Sequence, residues 1–379
     1  MTSVAALAEG KRVLICAGSG GVGKTTTSAA VAAGMAARGL KVVVLTIDPA
    51  KRLADSLGLA ELGNVERQVD PALFAEAGID PGEGELWAMM LDSKATFDEV
   101  VAKHAPDEET RDAVLSNRIY RELSSALAGS QEYMAMEKLF EIWSEDRFDL
   151  IVLDTPPSRN ALDFLEAPNR LLQFIEGRSL QVFLAPTGFA AKVAGRSTSM
   201  MFSVLRRITG VDLLQDLSEF FGSFSGMVGG FRERAAKVNE LLGDERSSFI
   251  VVCGPQSETV SEAAFFRGKL AELGLPFGGA IVNKVHVTDA ERSDDLAVEL
   301  GKSLDSELAE RVAANYEDYR LLAERDRRNI ERLREELGTD EIIEVPYLDR
   351  DVHDLDGLFE VNAHLFADGP GGRPYAETA

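Results

Sequence analysis

The sequence predicts an α/β fold, a mostly parallel sheet flanked by helices and interrupted by an inserted helical subdomain. Three observations predict it. Short apolar runs bounded by glycine or aspartate recur along the chain, most of them followed by helical patterns. The opening reads strand, glycine-rich loop, helix, strand. Two long stretches, about 93–146 and 162–244, carry no strand signal.

The first strand is RVLICAG (Arg12–Gly18), apolar and closed by glycine, as a buried parallel strand should be. Lys24–Gly39 follows the glycine loop; its alanines favour helix, and Gly39 supplies a stop. KVVVLTID (Lys41–Asp48) is the second buried run. Later strands are predicted at Leu86–Asp92, Phe148–Asp154, Ser248–Gly254, Phe277–Asn283 and Glu341–Pro346. Glu291–Leu337 is dense in Glu, Asp and Arg. Leu322, Ile330, Leu333 and Leu337 fall on one helical face there, which predicts a solvated amphipathic helix pair. The Gly/Pro-rich tail 368–379 is predicted to be disordered.

The length of 379 residues exceeds the ~100–200 of an ordinary domain. The expected division is one sheet domain from 1–92, 146–161 and 245–367, and a helical subdomain from 93–145 and 162–244. Hydrophobic residues make up 45% and charged residues 27%, a soluble enzyme's balance rather than a disordered chain's. The net charge of −23 argues against sequence-blind nucleic-acid binding, which needs a basic surface. Two cysteines, Cys16 and Cys253, exclude a disulfide framework and a cysteine-rich metal site within one chain. MTSVAALAEGKR lacks the pattern of a signal peptide, and no uncharged apolar run reaches the ~18–20 residues of a membrane span. A cytoplasmic protein is expected.

Chemistry enters at Gly18-Ser19-Gly20-Gly21-Val22-Gly23-Lys24-Thr25, which matches G-x-x-x-x-G-K-[ST] between a strand and a helix. Glycines let successive N–H groups turn inward on a phosphate, and the following helix adds the positive end of its dipole. Lys24 is the point charge for the β- and γ-phosphates; the Thr25 hydroxyl is a Mg²⁺ ligand candidate, and Thr26 extends the site. The fold is thus expected to be that of a P-loop NTPase binding ATP and Mg²⁺. Phosphoryl transfer also needs acidic groups. Asp154 ends a buried strand, where it reads as the Mg²⁺ partner, directly or through water, or else as a helix cap. Asp48 also ends a buried strand, as a second acidic candidate or as a turn residue before Pro49.

GSGGVGKTTT, DPAKRLADSLG and LDTPPSRNALDFLEAP together resemble the arsenite-pump and tail-anchored-protein-targeting ATPases, dimeric P-loop enzymes of the deviant Walker A class. The resemblance runs from about Lys11 to Leu365 and looks closest to the actinobacterial-type anion-transporting branch. It implies that Asp48 positions the attacking water and that Asp154-Thr155-Pro156-Pro157 is a second switch. It also implies that Asn283 reads the adenine and that Val345-Pro346-Tyr347-Leu348 closes over the base. SALAGSQEYMAMEKL (Ser125–Leu139) resembles the helical segment between the switches.

Four departures bear on the carry-over. The family's second loop residue is usually a lysine that reaches the partner's phosphates; here it is Ser19. The resulting enzyme is a slow homodimer or a heterodimer with a paralogous ATPase. Lys51-Arg52 stands where relatives often have His-Asn, and either cation is placed to replace part of the missing charge. No cysteine lies between Asn283 and Pro346, so neither zinc nor an iron–sulfur cluster is expected. Cys16 and Cys253 both fall in buried strands, which argues against an arsenite sensor.

The output depends on what the ATPase carries. Ser179–Phe231 holds seven Phe, three Met and seven Gly, with helically spaced apolar faces at Met200–Ile208 and Leu213–Phe224. Those faces form either a groove for an apolar protein segment or a core of their own. Capture of membrane-protein clients is one expectation and service as the energising subunit of an anion transporter is the other. A partition-type regulatory ATPase is third, and the C-terminal sequence offers no basic surface for it.

Overall fold

The structure, a computed structural model, describes residues 2–48, 52–118, 120, 131–155, 228–288 and 296–366. The strands are β1 (Val13–Ala17), β2 (Lys41–Thr46), β3 (Arg67–Gln68), β4 (Glu85–Met90), β5 (Leu150–Asp154), β6 (Ser247–Cys253), β7 (Phe277–Val285) and β8 (Ile342–Pro346). They form one sheet in the order β3-β4-β2-β5-β1-β6-β7-β8. β1 pairs in parallel with β5 and β6, β2 with β5, β6 with β7, and β7 with β8. Only the short β3–β4 pair is seen to be antiparallel. Every residue of β1, β5 and β6 is buried, which is why these strands read as continuous apolar runs and not as alternating ones.

The described helices are α1 (Val4–Leu7), α2 (Lys24–Ala36), α3 (Arg52–Ser56), α4 (Pro71–Glu76), α5 (Ser93–His104), α6 (Glu108–Ser116), α7 (Gln131–Glu145), α8 (Val228–Gly243), α9 (Ser257–Leu273), α10 (Leu296–Leu300), α11 (Ser306–Leu337) and α12 (Leu355–Leu365). The chain divides into two compact units, Met1–Met89 with Arg147–Ala161 and Gly243–Ala379, and Met90–Asp146 with Leu162–Leu242. The first holds the sheet. Its central strand β1 leads toward β2 on one side, while β6, β7 and β8 run to the other. The order therefore reverses at β1, the kind of switch point where open α/β sheets hold ligands.

Two details depart from expectation. β4 stops at Met90 and not Asp92, because the Asp92 carboxylate accepts a 2.9 Å bond from Ala95 N and caps α5. β3 is two residues long and carries too little pattern to be read from sequence. The predicted Phe/Met-rich faces and the tail lie outside the described residues.

In the second unit, α7 buries Tyr133, Met134, Met136, Leu139 and Ile142. It also buries Glu137, whose carboxylate accepts 2.8 Å from Arg234 Nε on α8 and a further bond from the Tyr133 hydroxyl. Charge buried this deeply is tolerable only when it is paired and hydrogen-bonded.

Back in the sheet unit, Asp305 caps the start of α11 and left-handed Gly338 ends it. Its buried stripe is Ala309, Ala323, Asp326, Ile330, Leu333 and Leu337, one face at helical spacing. Leu322 is only half-buried, and a fully buried aspartate occupies the stripe in its stead. Asp326 accepts 3.1 Å from His286 N, lies 2.7 Å from His286 Nδ1, and accepts 2.7 Å from Arg325 Nη2.

Candidate nucleotide site at the carboxyl edge of the sheet

Because its neighbours run parallel to β1, their last residues gather at one edge. Residues 18–23 leave β1 there and turn into α2. The turn admits no side chain at two points. A Cβ on Gly18 would stand 1.9 Å from Val252 O of β6, and one on Gly23 would stand 2.3 Å from Asn283 Nδ2. Gly23 is also left-handed, with φ 92, and caps α2 without a side-chain bond. The first N–H groups of α2 are therefore available to an acceptor in front of the helix.

Lys24 opens α2, is 6% exposed, and donates 2.7 Å to Ser19 O. Burial pushes its ammonium pKa below the ordinary lysine value, while Asp154 and Asp48 pull the other way. Asp154 ends β5 beside Cys16 of β1 and is fully buried. Its Oδ2 accepts 2.7 Å from Thr25 Oγ1 and 2.8 Å from Thr46 Oγ1; its Oδ1 is buried with no hydrogen-bond partner among the described residues. Burial raises its pKa from 3.8 to about 6, with Thr25, Thr46 and Lys24 opposing and Asp48 assisting. Thr46 also accepts 3.2 Å from Asp48 N, so one hydroxyl joins the ends of β2 and β5. Thr155 donates 2.9 Å to Cys16 O and fastens the exit of β5 to β1.

A cavity of about 470 Å³ opens here, a volume typical of small-ligand sites. Of the predicted residues, Gly21, Gly23, Lys24, Thr25, Thr26, Asp48, Asn283, Pro346, Tyr347 and Leu348 line it. Gly18, Ser19, Gly20, Val22 and Asp154 are not among its lining residues. Asn283 spends its amide locally: Nδ2 donates 2.9 Å to Val22 O and Oδ1 accepts 3.0 Å from Lys284 N. One further N–H and one lone pair remain for a base. Tyr347 is 58% exposed and stacks on His286, centroids 5.8 Å apart at 17°. Tyr319 meets the same imidazole edge-on at 5.2 Å.

Sequence reasoning missed several lining residues. Asp55 belongs to the quoted DPAKRLAD segment and was within reach of it, while Arg52 was singled out only as a replacement cation. Lys284 directly follows Asn283; Arg350, Asp351 and His353 lie two to five positions beyond Leu348 and carry no motif. Also unread was Glu262 on α9, whose carboxylate accepts the Ser19 hydroxyl.

The sequence pattern of the anion-transporting ATPase family matches residues 11–325. The chain belongs to that family. It is an ATP-hydrolysing enzyme, and it resembles "ATPase GET3" of Podospora anserina at 24% identity over 72% of this chain and 73% of the relative. "ATPase get3" of Aspergillus terreus is 23% identical over 82% of this chain and 84% of its own. "ATPase ASNA1 homolog 2" of Paramecium tetraurelia is 25% identical over 72% and 75%. Among the described residues of the ATPase, no helix is long and apolar enough to cross a membrane.

Two outcomes follow for this ATPase. If the cavity takes Mg-ATP, Lys24→Ala should weaken its binding at least about tenfold in titration calorimetry, because Lys24 is a buried cation lining the cavity. Asp154 gives a pH signature. Its folded pKa of about 6 exceeds the unfolded 3.8, so its contribution to stability is complete below 3.8 and is lost as pH rises to about 6. A rise from 3.8 to about 6 corresponds to a free energy on the order of 3 kcal/mol. Without nucleotide or metal, Asp154→Asn should melt close to the parent at pH 4 and above it at pH 7.5. A gap in Tm that does not widen with pH would contradict this.

Proposed function

We propose that the chain is a Mg²⁺-dependent, nucleotide-switched dimeric ATPase whose cycle drives capture and release of an apolar protein segment. The observation that carries the catalytic part is the buried Asp154 Oδ1, which has no hydrogen-bond partner among the described residues, set beside the Thr25 hydroxyl and the Lys24 ammonium. Hard oxygen donors, few in number, fit Mg²⁺, which retains water and phosphate oxygens as its other ligands. Thr25 and Asp154 would hold the ion, Asp154 directly or through water. When bound, Mg²⁺ neutralises charge on the triphosphate oxygens.

The protein groups do the rest. Backbone N–H groups from Gly20 to Thr25 cradle the β- and γ-phosphates and Lys24 binds their oxygens. Asp48 accepts a hydrogen bond from the attacking water and aims it at the γ-phosphorus. Its backbone is tied through Thr46 to Asp154, so the water-positioning group and the metal-facing carboxylate shift together. Asn283 faces the base with its spare amide valences, and Pro346, Tyr347 and Leu348 cover it.

The dimer reading starts from Ser19. A loop without the family's lysine needs the missing positive charge from elsewhere, either in part from Lys51 or Arg52 or from a paralogous ATPase in a heterodimer. Glu262 adds a constraint, because its carboxylate already holds the Ser19 hydroxyl. The client reading rests on the Phe/Met-rich composition of 179–231 and on the relatives named GET3. A net charge of −23 speaks against nucleic acid as partner. Service to an anion pump is the alternative that the family's description favours. Direct metalloid binding finds little support, since burial pushes both Cys16 and Cys253 up to about 12 and away from thiolate.

Asp48→Asn should keep nucleotide affinity within about threefold while turnover falls at least about a hundredfold, and with Mg-ATP it should sediment as a dimer. Parental turnover would remove Asp48 from the mechanism. Ser19→Lys alone should change turnover little, because Glu262 captures the new ammonium. Ser19→Lys with Glu262→Gln should raise steady-state ATPase severalfold, and equal rates in the two variants would show that the trans cation is not limiting.

A further inference from the structure

Lys284 stands in left-handed backbone at φ 63, one of two non-glycine residues with positive φ among the described residues. The other, Asp146, has a short polar side chain of the kind that tolerates this region; lysine has none. The β7–β8 pairing shifts register between Asn283 and Val285, so Lys284 is the extra residue of a bulge. The bulge re-aims its side chain. Lys284 lines the nucleotide cavity, and its Nζ lies 3.5 Å from Gly21 O, in donating position. Its neighbour Asn283 donates 2.9 Å to Val22 O. Two successive residues of β7 thus hold two successive carbonyls of the phosphate loop.

Those carbonyls control what the loop offers. A trans peptide is planar, with its C=O and N–H pointing in opposite directions. Gly21 C=O shares its plane with Val22 N–H, and Val22 C=O shares its plane with Gly23 N–H. A donor that holds each carbonyl outward turns the paired N–H the other way. Left unheld, either plane is free to rotate and bring an oxygen, negative in partial charge, toward the anion.

We propose that Lys284 is a positioning residue for the polyphosphate of the bound nucleotide, acting through Gly21 O to fix the orientation of the Val22 N–H. The strained conformation at 284 is the means of bringing an ammonium to that carbonyl. The inference rests on the nucleotide reading above and extends it to a residue that no motif marks.

The test uses the full chain and three variants. Titration calorimetry with ADP and with a non-hydrolysable ATP analogue, both with Mg²⁺, measures affinity. Amide hydrogen exchange over 18–24 in the nucleotide-free protein measures the loop itself. Lys284→Ala should weaken both nucleotides about tenfold and speed exchange at Val22, while Lys284→Arg should restore both to within about twofold. Lys284→Gly should weaken binding as alanine does, yet melt at or above the parental Tm, because glycine accepts the left-handed backbone without a clash. A purely structural bulge residue would not separate affinity from stability in this way. Parental affinity and exchange in Lys284→Ala, with the parent binding both nucleotides, overturn the strap alone. A parent that binds neither nucleotide overturns the nucleotide reading and the strap with it.

Discussion

A buried ammonium and a buried carboxylate, one strand apart, set the terms for the sheet edge. Lys24 follows the loop that leaves β1, and Asp154 closes β5 opposite Cys16. Burial drives both toward their neutral forms, lowering the pKa of the lysine and raising that of the acid. Each is partly rescued by the other, and Asp154 also by the Thr25 and Thr46 hydroxyls. The rescue is incomplete. Lys24 finds only a loop carbonyl, and one oxygen of Asp154 has no hydrogen-bond donor among the described residues. In the function proposed above, a triphosphate with its counter-ion would supply both missing charges at once. The glycines, the hydroxyls and the parallel register serve to keep that pair out of water until it does.

Much of this was legible in the chain itself. Buried parallel strands show as apolar runs, which drew attention to Asp48 and Asp154 at their ends, while Lys24 and Thr25 stood out through the G-x-x-x-x-G-K-[ST] spacing. What stayed hidden depends on geometry that no spacing encodes. Ser19 and Glu262 meet across 243 positions of sequence. Lys284 looks like an ordinary strand-end lysine until its φ is known. Asp326 was lost for a different reason. A pattern built on charge assigns an aspartate to the solvent face of a helix, whereas this one lies in the apolar stripe of α11 because His286 and Arg325 accompany it.

The loop's second residue shows how local chemistry can redirect a shared scaffold. The family pattern matches residues 11–325, a range that contains the glycine turn and Lys24. A hydroxyl in place of a long cation leaves room for a carboxylate at the flank of the phosphate loop, and Glu262 occupies it. Acid so close to an anion site repels a second anion and attracts a cation, so the sign of charge wanted from any neighbour at that flank is fixed by the fold.

The aspartate within α11 also has a mechanical side. At ~1.5 Å per residue, a helix of 32 residues spans about 48 Å, and Asp326 pins it about 30 Å from its amino end. The pin is His286, whose ring supports Tyr347 at the mouth of the cavity. Further along the same helix, Asn329 donates 2.9 Å to Pro255 O and Arg332 reaches Ser257 and Ser261, so the tyrosine at the cavity mouth shares its mounting with a helix that is moored at several points.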